Sequence, residues 1–291
     1  MRIAFIGLGN MGAPMARNLA AAGHSVTGVD LASVEIDGVS MASSIAGAAS
    51  GVDVAITMLP DGGALRAVAE ELIPALTAPA CWIDCSTVDI AACRDVHSTA
   101  KAAGLHALDA PVSGGVGGAE AGTLTFMCGG SEDAFATAQP LFDIMGAKAV
   151  HCGAGGAGQA AKICNNMILG ATMIVTCEAF ALADRLGLDR QAMFDVVSTS
   201  SGASWSVNTY CPAPGIGPEA PSDRNYAPGF ATELMAKDLA LAEAAAEEVG
   251  SQILIGRRAA EIYRTFLGHG GAGKDFSAVL QMLEEASPAE N

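Results

Sequence analysis

The first thirty residues constrain this chain more than any other stretch. Arg2 to Ile6 is a short apolar run with the character of a buried strand, and it passes at once into Gly7-Leu8-Gly9-Asn10-Met11-Gly12. Ala13 to Ala22 has helical composition, Ser25 to Val29 reads as a second strand, and Asp30 stands at its end. A strand, a GxGxxG turn, a helix, a second strand and an acid make up the opening βαβ unit of a dinucleotide-binding fold. The glycines let a pyrophosphate approach a helix N-terminus, and the carboxylate receives a ribose hydroxyl. A bare GxGxxG is weak evidence, but one set between strand and helix with an acid closing the next strand is specific.

The alternation continues. Val52 to Met58 reads as a strand ending in Leu59-Pro60, and Ala64 opens a helical run to Leu76. Cys81 to Asp84 is a strand ending in Cys85-Ser86-Thr87, Ile90 to Ala103 is helical, and His106 to Leu108 is again a strand. Alternating strands and helices give a parallel sheet, and ligands gather at the carboxyl ends of its strands. That places Leu59, Pro60, Ser86 and Thr87 beside the dinucleotide; Leu59, Pro60 and Thr87, with Ala64, join Gly7 to Gly12 and Asp30 as candidate cofactor residues. For Ser86 and Thr87, helix capping explains the residue types equally well. Asp109 to Ala119, DAPVSGGVGGA, reads as a glycine-rich loop whose N–H groups can face an anion. Thr123 to Cys128 and Lys148 to Cys152 are further strands flanking a helix from Ala134 to Met145.

From residue 163 onward no further strand is expected. Asn165 to Leu186, Arg190 to Ser198, Ala231 to Val249, Ser251 to Leu267 and Phe276 to Ala286 read as helices, with Ser287 to Asn291 as a frayed tail. The fold expected is an α/β Rossmann-type domain over 1–162 with a mostly parallel sheet, joined by a long helix to an all-α domain over 163–291. The joining segment follows the glycines at 153–158 and carries Lys162, Asn165 and Asn166 before a run that is apolar nearly all round. Lys162 and Asn166 are one helical turn apart on one face. A cation and an amide so placed, near the domain boundary, can hold an alkoxide or carbonyl oxygen. Ser198 to Pro228 is long and irregular, with Trp205 and Tyr210, and suggests a lid. Lys237 and Asp238 follow on a helix, where an ordinary solvated pair is an equal explanation.

The 291 residues suffice for two domains, and a hydrophobic fraction of 51% supports sizeable cores. A net charge of −16 argues against nucleic acid and anionic membrane surfaces as partners. No membrane-spanning run is expected, since the longest uncharged stretch, from Ile163, is broken by amides and threonines. The chain starts directly as a strand, which leaves no room for a signal or transit peptide and suggests the cytoplasm. Cys81, Cys85, Cys93, Cys128, Cys152, Cys164, Cys177 and Cys211 include no CxxC pair and read as small buried hydrophobes, with no metal site expected. The histidines stand away from any polar cluster.

GLGNMG at 7–12, DAPVSGG at 109–115, GxGxxxKxxNN at 156–166 and MAKDL at 235–239 together resemble the β-hydroxyacid dehydrogenases over essentially the whole chain. WSVNTYCPAP from Trp205, FATELMAKDLALA and KDFSAV at 274–279 resemble the branch that acts on 3-hydroxyisobutyrate, although Cys211 departs from the polar residue usual after the tyrosine. The resemblance implies NAD-dependent oxidation of 3-hydroxyisobutyrate to methylmalonate semialdehyde, as in valine breakdown, in a homodimer or homotetramer. It implies Lys162 as catalytic acid/base with Asn166 orienting, and Ser113, Gly114 and Gly115 on the substrate carboxylate. It implies Trp205, Tyr210 and Phe230 around the substrate, and Lys237 over cofactor and substrate. Reductases of glyoxylate, succinic semialdehyde or tartronate semialdehyde share the lysine and the glycine loop. A cofactor-binding module without catalysis would be expected to lose the lysine.

Overall fold

The computed structural model describes residues 1–285, in two compact units, Met1–Lys162 and a second beginning at Ile163. The first unit runs β1 (Arg2–Ile6), α1 (Gly12–Ala21), β2 (Ser25–Val29), β3 (Val39–Met41), α2 (Ile45–Ala49), β4 (Val54–Thr57), α3 (Gly62–Ala75), β5 (Cys81–Asp84), α4 (Ile90–Ala102), β6 (His106–Asp109), β7 (Val112–Ser113), α5 (Gly115–Ala121), β8 (Leu124–Gly130), α6 (Glu132–Met145) and β9 (Gly146–Gly153). α7 (Ala157–Arg185) starts in this unit and runs on into the second.

The strands read as unbroken apolar runs because the sheet is covered on both faces. Ile3, Phe5, Val54, Ile56, Cys81 and Ile83 point into a core with Met15, Leu19, Leu141 and Phe142 from α1 and α6. Their neighbours Ala4, Ile6, Ala55 and Trp82 point the other way, into a core with Leu65, Leu72, Cys93 and Val96 from α3 and α4. The sheet order is β3-β2-β1-β4-β5-β6-β8-β7, with β9 beside β8. β3 to β6 are parallel, as expected, but β8 pairs antiparallel with both β6 and β7. The reason is local: the segment after β6 turns back through β7 and α5 instead of crossing over a full helix. The glycine-rich loop expected at 109–119 thus contains a two-residue strand and, from Gly115, a short helix.

Register decides which residues meet at the carboxyl edge. Ile6 pairs with Val29 and with Thr57, Thr57 with Asp84, and Asp84 with Asp109. The turns that leave β1, β2, β4, β5 and β6 are therefore side by side.

The second unit contains α8 (Arg190–Val197), α9 (Trp205–Asn208), α10 (Thr232–Glu248), α11 (Leu254–Phe266) and α12 (Val279–Glu285), with 3₁₀ turns at Pro221–Arg224 and Phe276–Ala278 and a π turn at Leu267–Gly271. No strand occurs among its described residues. Its core gathers Met173, Cys177 and Phe180 of α7 with Met235, Leu239, Tyr263, Phe266, Phe276 and Leu280. The helix expected at 276–286 opens as a 3₁₀ turn, and its last residue, like the tail at 287–291, lies outside the described residues.

The structure departs from the sequence expectation in three places. α7 is not apolar and buried all round: Ile168, Val175 and Leu182, spaced at sevens along it, are 61%, 57% and 58% exposed. The run of apolar residues hid an outward stripe. By length and a mean hydropathy of 1.6, α7 also reaches what a membrane span needs, although its inward side belongs to the core just described. Finally, Cys152 and Cys164 are exposed, because one lies on β9 and the other on the outward side of α7; the remaining six cysteines are buried.

Candidate active site

The dinucleotide turn is built by crowding on one side and space on the other. Gly7 has φ +92°, and a Cβ there would stand 2.2 Å from the carbonyl oxygen of Met58. A Cβ on Gly12 would meet the Gly7 carbonyl at 2.0 Å, so the helix start must pack against the turn. Gly9 has nothing within 4 Å, and Gly9 and Asn10 are exposed while Leu8 is buried. Two glycines admit the protein's own backbone and the third leaves room for a ligand, which is the division of labour a pyrophosphate requires. Asp30 is held at the lip of this turn: its carboxylate accepts Leu8 N at 2.6 Å and Ala32 N at 2.8 Å. Met11 is half-buried at the N-cap of α1, and Leu31, next to Asp30, is fully exposed. The donor set and the open turn fit a dinucleotide.

Leu59 and Pro60 leave β4 beside this turn, and Ala64 sits in the first turn of α3, its N–H donated to Asp61. Ser86 and Thr87 leave β5. Neither caps a helix, since α4 is capped by Asp89. Ser86 is buried and its hydroxyl has two partners: it donates to Asp84 Oδ1 at 2.6 Å and accepts Leu59 N at 2.8 Å. Thr57 also donates to Asp84 Oδ1, at 2.7 Å, and accepts Trp82 Nε1 at 3.0 Å. Burial pushes the Asp84 carboxyl up to about 6 against the downward pull of these donors.

Ser113 ends β7 half-buried, Gly114 follows at φ 137° and Gly115 at φ 62°. The preceding residue, Val112, offers its carbonyl to Lys162 Nζ at 2.8 Å. Lys162 is 7% exposed and so is brought beside the loop suggested for the substrate carboxylate. The start of α7 is fastened by Asp109, which accepts Gly156 N on Oδ1 and Gln159 N on Oδ2, each at 2.8 Å. This is a cap supplied from a distant strand, in a place where spacing alone shows nothing. Cys93 and His97 of α4 complete a cluster with Asp109, His97 Nε2 lying 3.7 Å from the carboxylate. His97 is therefore not remote from polar groups, as its sequence surroundings suggested; the fold brings Asp109 to it.

In the second unit, Asn166 is 1% exposed and held by two contacts. Its Nδ2 donates to Asp238 Oδ2 at 2.5 Å, and its Oδ1 accepts Asn165 Nδ2 at 2.9 Å. Asp238 is itself 3% exposed, so it is no solvated partner of Lys237, although Lys237 Nζ lies 3.7 Å from its Oδ1. Trp205 and Tyr210 stack at 4.7 Å between ring centroids. Tyr210 donates its hydroxyl to Asp275 Oδ2 at 2.8 Å, and the same oxygen accepts Gly229 N and Phe230 N. Asp275, fully buried, thus organises Tyr210 and Phe230 together. The stretch 198–228 is not a loose flap: Cys211, Pro212 and Ala213 are buried, Ser222 Oγ bonds the Cys211 carbonyl and Tyr226 the Pro212 carbonyl. Asp84, Asp238, Asp275 and Gln159 were missed or misread from sequence; an acid or amide inside an apolar surrounding was the one available signal.

Residues 2–153 match the NAD binding domain of 6-phosphogluconate dehydrogenase, and residues 156–283 match the domain described as NAD-binding of NADP-dependent 3-hydroxyisobutyrate dehydrogenase. A probable 3-hydroxyisobutyrate dehydrogenase of Mycobacterium tuberculosis is 46% identical over 99% of this chain and 99% of its own. The chain belongs to the 3-hydroxyisobutyrate dehydrogenase family. A solved M. tuberculosis 3-hydroxyisobutyrate dehydrogenase with L-serine superposes with a TM-score of 0.92 at 46% identity, covering 97% of this chain and 98% of that one. An NAD-dependent L-serine dehydrogenase of Pseudomonas aeruginosa is 43% identical over 97% of this chain and 98% of its own. Membership in the 3-hydroxyisobutyrate dehydrogenase family makes this chain an NAD-dependent oxidoreductase of hydroxy acids.

Proposed function

We propose that this protein oxidises 3-hydroxyisobutyrate to methylmalonate semialdehyde, with Lys162 as the acid/base. One observation carries the reading: a lysine only 7% exposed at the end of the dinucleotide-binding unit, its ammonium on the Val112 carbonyl next to Ser113-Gly114-Gly115. Gly7 to Gly12 and Asp30 would hold NAD, which would supply the hydride acceptor. What remains for the protein is the hydroxyl proton, and Lys162 in its neutral form accepts it as the C–O double bond forms. Asn166, one turn further along α7, has its amide fixed by Asp238; its orienting role rests on the resemblance. Ser113, Gly114 and Gly115 offer a hydroxyl and backbone N–H groups to the carboxylate. The roles given to Trp205, Phe230 and Lys237 rest on the resemblance, and the Tyr210 hydroxyl is already engaged by Asp275.

The names of two relatives favour a second substrate, L-serine. Both candidates carry a CH₂OH group β to a carboxylate and differ at C2, where one has a methyl and the other an ammonium. Initial rates of reduced-nicotinamide formation with NAD and each acid test the reading. Higher kcat/KM for 3-hydroxyisobutyrate supports it; higher kcat/KM for L-serine replaces it.

The exposed stripe of Ile168, Val175 and Leu182 supports a homodimer or homotetramer, since apolar patches of this kind mark interaction surfaces.

A further inference from the structure

Gln159 lies within the turn of α7 that precedes Lys162, and neither the cofactor nor the substrate assignment uses it. It is fully buried, yet both ends of its amide are satisfied. Oε1 accepts Val88 N at 3.1 Å and Nε2 donates to the Ser86 carbonyl at 2.8 Å. The partners leave no freedom in the assignment, because an N–H demands the oxygen and a carbonyl demands the NH₂. Ser86 in turn grips Leu59 N through its hydroxyl, and that hydroxyl is aimed by its own donation to Asp84. Two side chains thus tie the first turn of α7 to the backbone that leaves β4 beside Gly7.

We propose that Gln159, Ser86 and Asp84 form a buried positioning relay that sets Lys162 against the Leu59–Pro60 segment of the cofactor site. The inference rests on the reading of Lys162 as the acid/base. Asp109 fixes where α7 begins through backbone N–H groups, and Gly158 packs that turn against the Met127 and Asp109 carbonyls. The Gln159 side chain, bonded at both ends to the segment after β5, adds the tie that couples this turn to the cofactor segment. Proton transfer depends steeply on heavy-atom separation, and a displacement of about 1 Å is enough to cost on the order of 10²-fold. A relay of this kind should therefore act on kcat and leave the binding of the dinucleotide nearly untouched.

The test compares Gln159→Met, Gln159→Glu and Lys162→Ala with the wild type. Gln159→Met keeps length and volume but bonds neither Val88 nor Ser86. It is expected to lower kcat about tenfold to a hundredfold, with the Kd for NAD within about threefold of wild type. In Gln159→Glu the ionised carboxylate can accept Val88 N but cannot donate to the Ser86 carbonyl, whereas the protonated acid can do both. Its activity relative to wild type should rise as pH falls. The titratable groups linked to the position are Asp109 through the Gln159 N–H, Asp84 through Ser86, His97 through Asp109 and Lys162 on the next turn. All are present in the wild type, so the ratio divides out their own titration. A pH-independent ratio for Gln159→Glu, or a Gln159→Met enzyme with more than half the wild-type kcat, overturns the relay. Should Gln159→Met fail to fold, the Gln159→Glu profile decides alone. If Lys162→Ala remains active, the reading of Lys162 has failed; if Lys162→Ala is inactive while Gln159→Met matches wild type, the relay alone has failed.

Discussion

At the scale of single residues, the proposed chemistry rests on one buried lysine. Lys162→Ala should lower kcat by about 10²–10⁴, the usual loss of a general acid/base, while NAD still binds. Lys162→Arg should do little better, since arginine does not release its proton near neutral pH. Steady-state kinetics alongside NAD titration separates the two effects, and a Lys162→Ala enzyme keeping a tenth of wild-type kcat would sink the assignment. Asp30 makes a second residue-scale prediction. Its carboxylate is fastened by Leu8 N and Ala32 N at the lip of the turn, where it would accept a ribose hydroxyl and repel a 2′-phosphate. NAD should be preferred over NADP by about 1–3 kcal/mol, the size of a hydrogen bond to a charged group. Equal kcat/KM for the two cofactors would contradict this. Lys162 and Asp30 stand out in the sequence because each closes a motif. Asp238 was not, because the pairing that buries it joins residues far apart in the chain, and beside Lys237 it looks like half of a surface ion pair.

At the scale of elements, α7 does two jobs with one sequence. Met173, Cys177 and Phe180 face the second core, and the sevenfold spacing of Ile168, Val175 and Leu182 sets a second apolar line on the outward side. Replacing these three with glutamate should leave the helix folded, since glutamate is a good helix former. It should convert the proposed oligomer to monomer in light scattering after gel filtration. An unchanged oligomeric mass would show that another surface holds the copies together, and a monomeric wild type would overturn the oligomer itself. The sequence run could not separate the two lines, because apolar residues on adjoining faces merge into one hydrophobic stretch when read linearly. The irregular stretch 198–228 misled in the opposite sense. Prolines and glycines signalled a loop correctly, but the hydroxyls of Ser222 and Tyr226 that fold it onto itself give no periodic signal.

At the scale of the whole molecule, the buried Asp84 ties stability to pH. Its folded-state value, raised to about 6 by burial, lies above an ordinary aspartate, so the folded protein holds a proton that the unfolded chain releases more readily. The stabilising contribution is present below about pH 4, declines as pH rises and is gone above about pH 6. Asp84→Asn removes the titration. The difference in unfolding free energy between wild type and Asp84→Asn should therefore move against the wild type by about 2 kcal/mol between those limits. Denaturant titrations at several pH values measure it, and a constant difference would show that Asp84 ionises freely in the fold.

The sequence by itself determined the doubly wound first unit, the helical second unit, the glycine turn with its acid, and the lysine that ends the first unit. Each of these is written in short-range order: apolar runs of strand length, glycines where backbone or ligand must approach, a cation entering an apolar helix. Only the tertiary structure decided what holds those groups in place. Thr57, Asp84 and Asp109 become neighbours through strand register, Ser86 and Gln159 meet across 73 positions of chain, and Asn166 reaches Asp238 across 72. A hydrogen bond between buried side chains requires only that two atoms arrive within about 3 Å with the right polarity. Nothing in the spacing of residues along a chain records that arrival until the sheet and helices have packed.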